Sequence, residues 1–245
     1  VDLTLQGASF ERASLNEVHI ANSGLEGANF ENATLTRARF HQARLVGANL
    51  SDASMSQSVM LLVDLTGANL SNVAANSSVF RQANFSATRL RDAGLSNAHF
   101  IGSRLIGADA RNANFSGSIF ENVDLTGSDF RGTKLVGVRF RTVDVTGVDF
   151  RNANGLSSSL FARACGVDAR GLPDDVELGP CGETRQSIDD EHITVAVAAS
   201  REALENLRQQ RRAQIEEARH AFEQAIGNIE VRVGSSDRIR LEAIA

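Results

Sequence analysis

Apolar residues recur at every fifth position over the first two-thirds of the chain. The stretch RNANFSGSIFENVDLTGSDF at 111–130 shows the period, with centres at Phe115, Phe120, Leu125 and Phe130. An α-helix would carry these side chains around its axis, and a flat strand would place alternate ones on opposite faces. Neither element gives them a common buried side, so the pattern predicts another backbone geometry.

The period is kept without insertion from Leu5 to Leu160. Of the 32 centres in this range, 29 are Leu, Phe, Met, Ile or Val, and the exceptions are Ala75, Ala110 and Gly155. Two residues before the centre lies Ala, Ser, Thr or Val in 31 of the 32 cases, Leu3 being the exception. A phase kept this long indicates a repeat architecture rather than a globular core with loops of variable length.

A period of five is satisfied when each five residues form one side of a four-sided coil. Twenty residues then return the chain to its starting side, and successive coils stack at the inter-strand spacing of about 4.8 Å. The centre and the small residue two before it point inward, while the other three side chains face solvent. A large residue at the small position would overpack the interior. Eight such coils predict a rod about 38 Å long.

This repeat resembles that of the pentapeptide-repeat family, whose pattern is A(D/N)LXX. The matching stretches are GANLS at 47–51 and 67–71, RQANF at 81–85 and RNANF at 111–115. The resemblance covers residues 1–160 and implies an all-β solenoid, a right-handed quadrilateral β-helix of about eight coils. It implies little about function, because the family's repeats are structural rather than catalytic. Its characterised members include topoisomerase-protecting proteins that mimic DNA.

Beyond the repeat, the sequence predicts a cap and linker over 161–190 and a helical extension over 191–245. A solenoid end needs a cap because its backbone edge is otherwise unpaired. The extension predicts a long helix from Ser200 to about Asn228, followed by a short β-hairpin of VRV and IRL around GSSD. An apolar stripe on this helix predicts either a homodimer or packing along the rod. The stripe includes Leu204, Ile215, Phe222 and Ile229.

The two cysteines, Cys165 and Cys181, lie outside the repeat and 16 positions apart. They are compatible with a disulfide in an oxidising compartment or with two ordinary small residues, and the absence of a CxxC motif argues against a zinc site. No apolar run reaches the roughly 18 residues of a membrane span, and no targeting segment is recognised. The repeat is already in phase near Val1, which leaves room for an upstream segment. The compartment is therefore undetermined, with the cytoplasm slightly favoured over export or tethering.

Charge along the rod bears on the DNA-mimic hypothesis. A protein that occupies a DNA-binding surface should present rows of carboxylates in place of phosphates. Residues 1–160 contain 14 acidic and 14 basic side chains, so the net charge of −5 arises after residue 160. This neutral rod counts against a DNA mimic that protects a type II topoisomerase such as DNA gyrase, which is kept as the alternative function.

Arginine recurs every twenty residues from Arg91 to Arg151, so four guanidinium groups should stack on one face. Asp109, Asp129 and Asp149 form the adjacent column and predict a solvated ion-pair network. A second interpretation is a contact with an anionic partner. Its residues would be Arg81, Arg89 and Arg91.

The segment SVMLLVDL at 58–65 places apolar residues at outward positions. Residues twenty and forty positions further on continue the same columns, and contiguous apolar surface of this kind marks an interface. The strip could bind a partner or be covered by the C-terminal segment. We call the following residues the apolar strip: Val59, Leu61, Leu62, Val79, Ile101 and Ile119.

The sequence contains no cluster of nucleophile, base and orienting groups, and no GxGxxG, P-loop or HExxH motif. We therefore expect no catalytic residue, no metal and no cofactor. The absence of Trp and Tyr argues against stacking on single-stranded nucleic acid. The favoured function is a non-enzymatic protein-binding scaffold or spacer. Its partner would be a protein of unknown identity, and the C-terminal helix would serve dimerisation or attachment.

Overall fold

The first compact unit of the chain is a parallel β-solenoid with five residues on each side of its coil. The computed structural model describes residues 4–182, 231–233 and 237–239, and the chain forms two units, Val1–Cys181 and Gly182–Ala245. One strand recurs in every turn. The strands are β1 (His19–Ala21), β2 (Arg39–His41), β3 (Val59–Leu61), β4 (Val79–Arg81), β5 (His99–Ile101), β6 (Ile119–Asp124) and β7 (Arg139–Asp144). A short helix, α1 (Ser158–Phe161), and β8 (Ala164–Cys165) follow.

These eight strands form one parallel sheet in chain order. β1 to β7 pair in a register of twenty residues, and single bridges keep that register on the other three sides. Each coil bonds to the coils on both sides of it. The Asn49 amide donates to the Ala28 carbonyl at 2.9 Å, and the Leu50 amide donates to the Asn69 carbonyl at 2.7 Å. The backbone polar groups are thereby satisfied without loops.

Every corner of the coil is turned by the residue two positions after a centre. These residues take a left-handed φ at each corner from Gly7 to Asn152, for example 65° at Gly47 and 58° at Asn72. Glycine and the short amides tolerate this region best, which explains their frequency there. The corner requirement and the buried centre together fix the length of each side at five residues.

Side chains at the centres and at the small positions fill the interior, as predicted. Between Leu25 and Leu135 all of them are at most 2% exposed. Phenylalanine rings stack along the rod, with Phe100 4.9 Å from Phe80 and 4.8 Å from Phe120 between ring centroids. Most buried hydroxyls at small positions donate to backbone carbonyls, as Ser78 does to Met55, and Ser58 donates to the Ser78 hydroxyl. The interior is therefore a packed column rather than a channel.

The solenoid has about seven turns, so the predicted number of about eight is wrong by one. Regular coiling ends at Asn154, which pairs with Lys134. The next side begins with Gly155, whose φ is 88° and whose added Cβ would lie 2.6 Å from the Val136 nitrogen. Beyond it α1 replaces a regular side, and β8 pairs with β7 at an offset of 21 residues. The sequence period continues to Leu160, but the backbone has already left the coil.

The segment after β8 is tied back to the last turn by a disulfide. Cys165 and Cys181 are bonded, and their Cα atoms lie 5.1 Å apart. The Gly166 amide also donates to the Gly179 carbonyl at 2.8 Å. Of the two alternatives that the sequence left open for these cysteines, the structure has the disulfide.

The described part of the second unit is an antiparallel pair of strands, β9 (Val231–Val233) and β10 (Asp237–Ile239). The predicted hairpin is thus present, with its second strand two residues earlier than expected. The predicted helix from Ser200 to Asn228 and its stripe, Leu204, Ile215, Phe222 and Ile229, lie outside the described residues.

Removing one stacked ring should weaken the rod. We expect Phe100→Ala to lower the free energy of unfolding by about 3–5 kcal/mol, because a fully buried ring leaves a cavity. Phe100→Leu, which keeps most of the volume, should cost clearly less. Urea denaturation followed by circular dichroism measures both variants, and equal losses would contradict the packing described here.

Reducing the disulfide should loosen the end of the rod selectively. A loop of this length stabilises the folded state by about 3 kcal/mol in the chain-entropy account. We expect faster hydrogen exchange after reduction at the Val145 and Gly147 amides, which donate to the Cys165 and Val167 carbonyls. The Gly67 amide in the middle of the rod is the control. Unchanged exchange at Val145 would show that the disulfide does not hold this end.

Candidate functional site

The four sides of the rod differ in charge, although the rod as a whole is neutral. We call the side formed by the outward residues of β1 to β7 at the strand positions the sheet face. It has four arginines and one glutamate in these positions, together with three histidines and most of the apolar strip. The residues are His19, Ala21, Arg39, His41, Val59, Leu61, Val79, Arg81, His99, Ile101, Ile119, Glu121, Arg139 and Arg141.

The apolar strip lies on this face across β3 to β6. Val59 pairs directly with Val79, so these two side chains are neighbours in consecutive coils. His99 lies between Val79 and Ile119 in one column. All six strip residues are partly exposed. The structure thus brings them to one face, and their contact with a partner stays a prediction.

Arg81 interrupts the second column of the strip. It pairs with Leu61 on one side and with Ile101 on the other. The surface is therefore apolar and basic in alternation rather than continuously apolar. A binding partner that matches it would present apolar and acidic side chains together.

Leu62, at the corner beside the strip, adopts a conformation that its residue type disfavours. Its φ is 56°, and it is the one large aliphatic side chain among the left-handed corners of residues 4–182. The same corner in neighbouring coils is Gln42 and Gln82. A branched apolar residue in the left-handed region is uncommon and unfavourable. The backbone conformation of this corner therefore does not favour leucine.

The arginine column lies on the opposite side of the rod and forms the predicted ion-pair network. Arg91 Nε is 2.5 Å from Asp109 Oδ2, and Arg111 Nε is 2.9 Å from Asp109 Oδ1. The pattern repeats in the next two coils. Arg131 and Arg151 each approach the aspartate two residues before them, Asp129 and Asp149, to 2.6 Å.

These contacts bias the carboxylates toward the charged form. The hydrogen bond from Arg151 lowers the pKa of Asp149 from 3.8 to about 2. The hydrogen bond from Arg131 likewise holds the pKa of Asp129 below its ordinary value. This column of three aspartates is therefore neutralised by arginine in place and does not resemble the row of bare charges on a DNA strand.

The three arginines predicted as one anion contact do not lie together. Arg89 and Arg91 are on the side of the arginine column, where Arg89 pairs with Asn69 and Asp109. Arg81 belongs to β4 on the sheet face. Ten residues separate Arg81 from Arg91, which is half a turn in a coil of twenty. The register alone would have placed them on opposite sides.

Sequence reasoning missed a cavity at the end of the sheet face. Its volume is about 550 Å³, and its lining combines apolar side chains with three arginines, Arg139, Arg141 and Arg163. The sequence shows a break in the period at Gly155, but this break does not by itself indicate a cavity. A shallower groove of about 380 Å³ runs along the arginine column beside Arg111 and Asn112.

Catalytic and metal-binding arrangements were not expected. Among the described residues, one group of three possible ligands lies close enough for a metal: Asp144, Cys165 and Cys181. The two sulfurs of this group are bonded to each other and so are not thiolate ligands. Among the described residues, no helix has the length and apolar character needed to cross a membrane.

Comparison with known families and structures bears on the repeat. The family model described as "Pentapeptide repeats" matches eight copies, in segments that extend from residue 13 to residue 154. The matched segments are 13–52, 23–60, 43–82, 64–100, 93–132 and 124–154. No curated protein matches the chain.

Solved structures with a similar coil include three of different origin. Full-length QnrB1, a plasmid-mediated fluoroquinolone resistance protein, is 20% identical over 62% of this chain and 91% of its own, with a TM-score of 0.36. HetL, involved in heterocyst differentiation regulation in the cyanobacterium Nostoc sp. strain PCC 7120, is 22% identical over 71% and 91%, with a TM-score of 0.30. A repeat protein of the Arabidopsis thaliana thylakoid lumen is 26% identical over 52% and 65%, with a TM-score of 0.22. At these values they carry no argument about what this chain binds.

Acid should weaken the end of the arginine column. The depressed pKa of Asp149 means that its contribution to stability is complete above 3.8 and is lost as the pH falls toward about 2. The free energy of unfolding of the wild type should fall over this pH range, and we expect it to fall less in Asp149→Asn. The two decreases should differ by less than about 1 kcal/mol because Arg151 is half exposed.

Thermal unfolding from pH 2 to pH 7 measures this difference. Asp52→Asn, on the same side of the rod but outside the ion pairs, is the control. Parallel acid profiles for wild type and Asp149→Asn would mean that the ion pair does not stabilise the rod.

Proposed function

This chain belongs to the pentapeptide-repeat family, and on that basis we propose that it is a non-enzymatic scaffold that binds a protein partner through its sheet face. The coil serves as a rigid framework, and the outward columns supply the binding residues. The observation that carries the proposal is the apolar strip with its corner residue Leu62. A large apolar side chain stands there where neighbouring coils have glutamine.

Physical cost supports a binding role for the strip. Leucine in the left-handed region is less favourable than glycine or asparagine, and a partly exposed apolar side chain gains nothing from water. Sites that depart from local preference are expected to serve function. Leu61, Val59 and Val79 extend the same surface over adjacent coils.

The packed interior supports a non-enzymatic role. Inward side chains from Leu25 to Leu135 are at most 2% exposed, so this part of the rod has no internal pocket for a substrate. The cavity and the groove described above lie on the outside and contain no paired nucleophile and base. Catalysis would need a nucleophile and a base that converge on one substrate position.

The alternative, a DNA mimic that protects a type II topoisomerase, has less support. It would need rows of free carboxylates, whereas Asp109, Asp129 and Asp149 are each bound by arginine. The sheet face is basic rather than acidic. We therefore prefer a protein partner that is not a DNA-binding enzyme.

A role of the C-terminal extension in dimerisation or attachment remains a separate prediction. The residues that suggested it, from Leu204 to Ile229, lie outside the described part of the chain. The proposal for the sheet face does not depend on it.

We expect Leu61→Glu with Leu62→Glu to abolish binding of the partner while the rod stays folded, because both side chains point outward. Ser71→Glu with Asn72→Glu is the matched control, since these residues occupy the same positions ten residues later on the opposite side. Proteins retained from an extract of the source organism by the three chains are compared by mass spectrometry.

One protein retained by wild type and control but lost from the Leu61, Leu62 variant would support the proposal. A type II topoisomerase retained by all three chains would overturn it in favour of the alternative. Circular dichroism of each variant checks that the coil is intact.

A further inference from the structure

The last strand of the regular coil is left half unpaired. β7 spans Arg139–Asp144 and pairs along its length with β6. On its other side β8 pairs with Val143 and Asp144 alone. The first half of β7, Arg139–Arg141, therefore has no strand on its outer side within the described residues. We call this half the open edge.

The open edge follows from the way in which the chain leaves the coil. Gly155 turns the backbone away, α1 replaces a regular side, and β8 returns one residue late. The inward residues at this edge are consequently less well covered than those between Leu25 and Leu135. Val138 is 8% and Phe140 is 5% exposed, and Leu160 of α1 is 6% exposed.

These features line the cavity of about 550 Å³ at the end of the sheet face. Its floor is apolar, formed by Val138, Phe140 and Leu160, and no acidic side chain belongs to its lining. The open strand edge forms one wall. An unpaired strand edge beside an apolar floor is a template for adding another strand.

Three exposed arginines surround the open edge. Arg141 approaches Glu121 at 3.6 Å, whereas Arg139 and Arg163 have no acidic partner within residues 4–182. Arg139 and Arg141 point outward from β7 on either side of the inward Phe140. A strand added here would therefore need acidic residues at its outward positions and an apolar residue between them, because side chains alternate along a strand.

We propose that the open edge binds an extended peptide segment of a partner protein, with alternating acidic and apolar side chains, as an additional strand of the sheet. This rests on the proposed function, because it assigns chemistry to the partner of the sheet face. The acidic side chains bind Arg139, Arg141 and Arg163. The apolar side chain between them enters the cavity over the part of Phe140 that the ring of Phe161 leaves uncovered.

A second copy of this chain is a poorer occupant. Pairing two open edges would bring Arg139, Arg141 and Arg163 of both copies together, and like charges placed opposite each other destabilise a sheet. A basic segment is disfavoured for the same reason, and a neutral segment would leave Arg139 and Arg163 without a counter-charge. The arginines thus select an acidic strand.

The open edge continues the apolar strip. Ile119, the last residue of the strip, pairs directly with Arg139. A partner bound along the sheet face therefore reaches the open edge without crossing a corner. The apolar residues of the partner contact the apolar strip, and its acidic strand binds the open edge beside the cavity.

The test uses a fluorescein-labelled heptapeptide of alternating Glu and Val, with fluorescence anisotropy as the readout on the full chain. We expect saturable binding that weakens at least tenfold in Arg163→Glu. Arg104→Glu is the matched control, because it reverses another exposed arginine that lies away from the cavity. It should change the affinity less than twofold.

Two further probes separate strand addition from charge attraction. A peptide with Lys in place of Glu should not bind. A peptide with Pro in place of the central Val keeps the charge but cannot pair as a strand, and it should also lose binding. Equal binding of the proline peptide, or an equal effect of Arg163→Glu and Arg104→Glu, would overturn the inference.

The Leu61→Glu, Leu62→Glu variant distinguishes failure here from failure of the proposed function. It should bind the Glu–Val peptide like wild type, because Leu61 and Leu62 lie four coils away from the open edge. No binding of this peptide to the wild type would overturn the open-edge inference while the partner experiment still decides the proposed function. Arg163→Gln, expected to weaken binding by a smaller factor than Arg163→Glu, guards against loss of fold.

Discussion

The stacking of each coil on its neighbours is the constraint on which this structure depends. Backbone amides bond to carbonyls of the coils above and below, as those of Asn49 and Leu50 do. This pairing continues from coil to coil only if every turn has twenty residues. Four equal sides then follow, with a small residue and a large centre inward on each. The same requirement excludes loops within the coils, so residues 4–154 offer no segment that could build an enclosed site. What the rod binds is therefore decided by its outward columns and by the place where stacking stops.

Outward residues at the same position of successive coils form columns. A residue type that recurs in a column therefore gives one side of the rod a uniform chemical character. Asn49 donates to Asn29 and Asn69 donates to Asn49, which gives a ladder of amides. Further along the same side the column changes to aspartate bound by arginine. A balanced count of charges over the whole rod therefore conceals sides of different character. The basic and partly apolar sheet face is compensated by acidic residues elsewhere.

Much of the fold could be predicted from the sequence because the period of five is a direct image of the backbone. The inward positions, the partners of the arginine column and the common face of Val59, Val79 and Ile119 all follow from the register. The grouping of Arg81 with Arg89 and Arg91 was wrong because it used likeness of charge and ignored the register. The cavity could not be predicted, since it depends on how the backbone leaves the coil at Gly155. The path of the backbone there depends on the contacts of one glycine and on a one-residue offset at β8. Neither feature can be read from the five-residue period of the sequence.

The fixed register also limits how such a rod can change in evolution. The apolar strip and the open edge share one side because β3 to β7 are separated by whole turns. Duplication or loss of a single five-residue unit between them would rotate one by a quarter turn relative to the other. Only gain or loss of twenty residues would keep both on the sheet face. Length variation among descendants of this chain should therefore come in whole turns wherever both surfaces are used together.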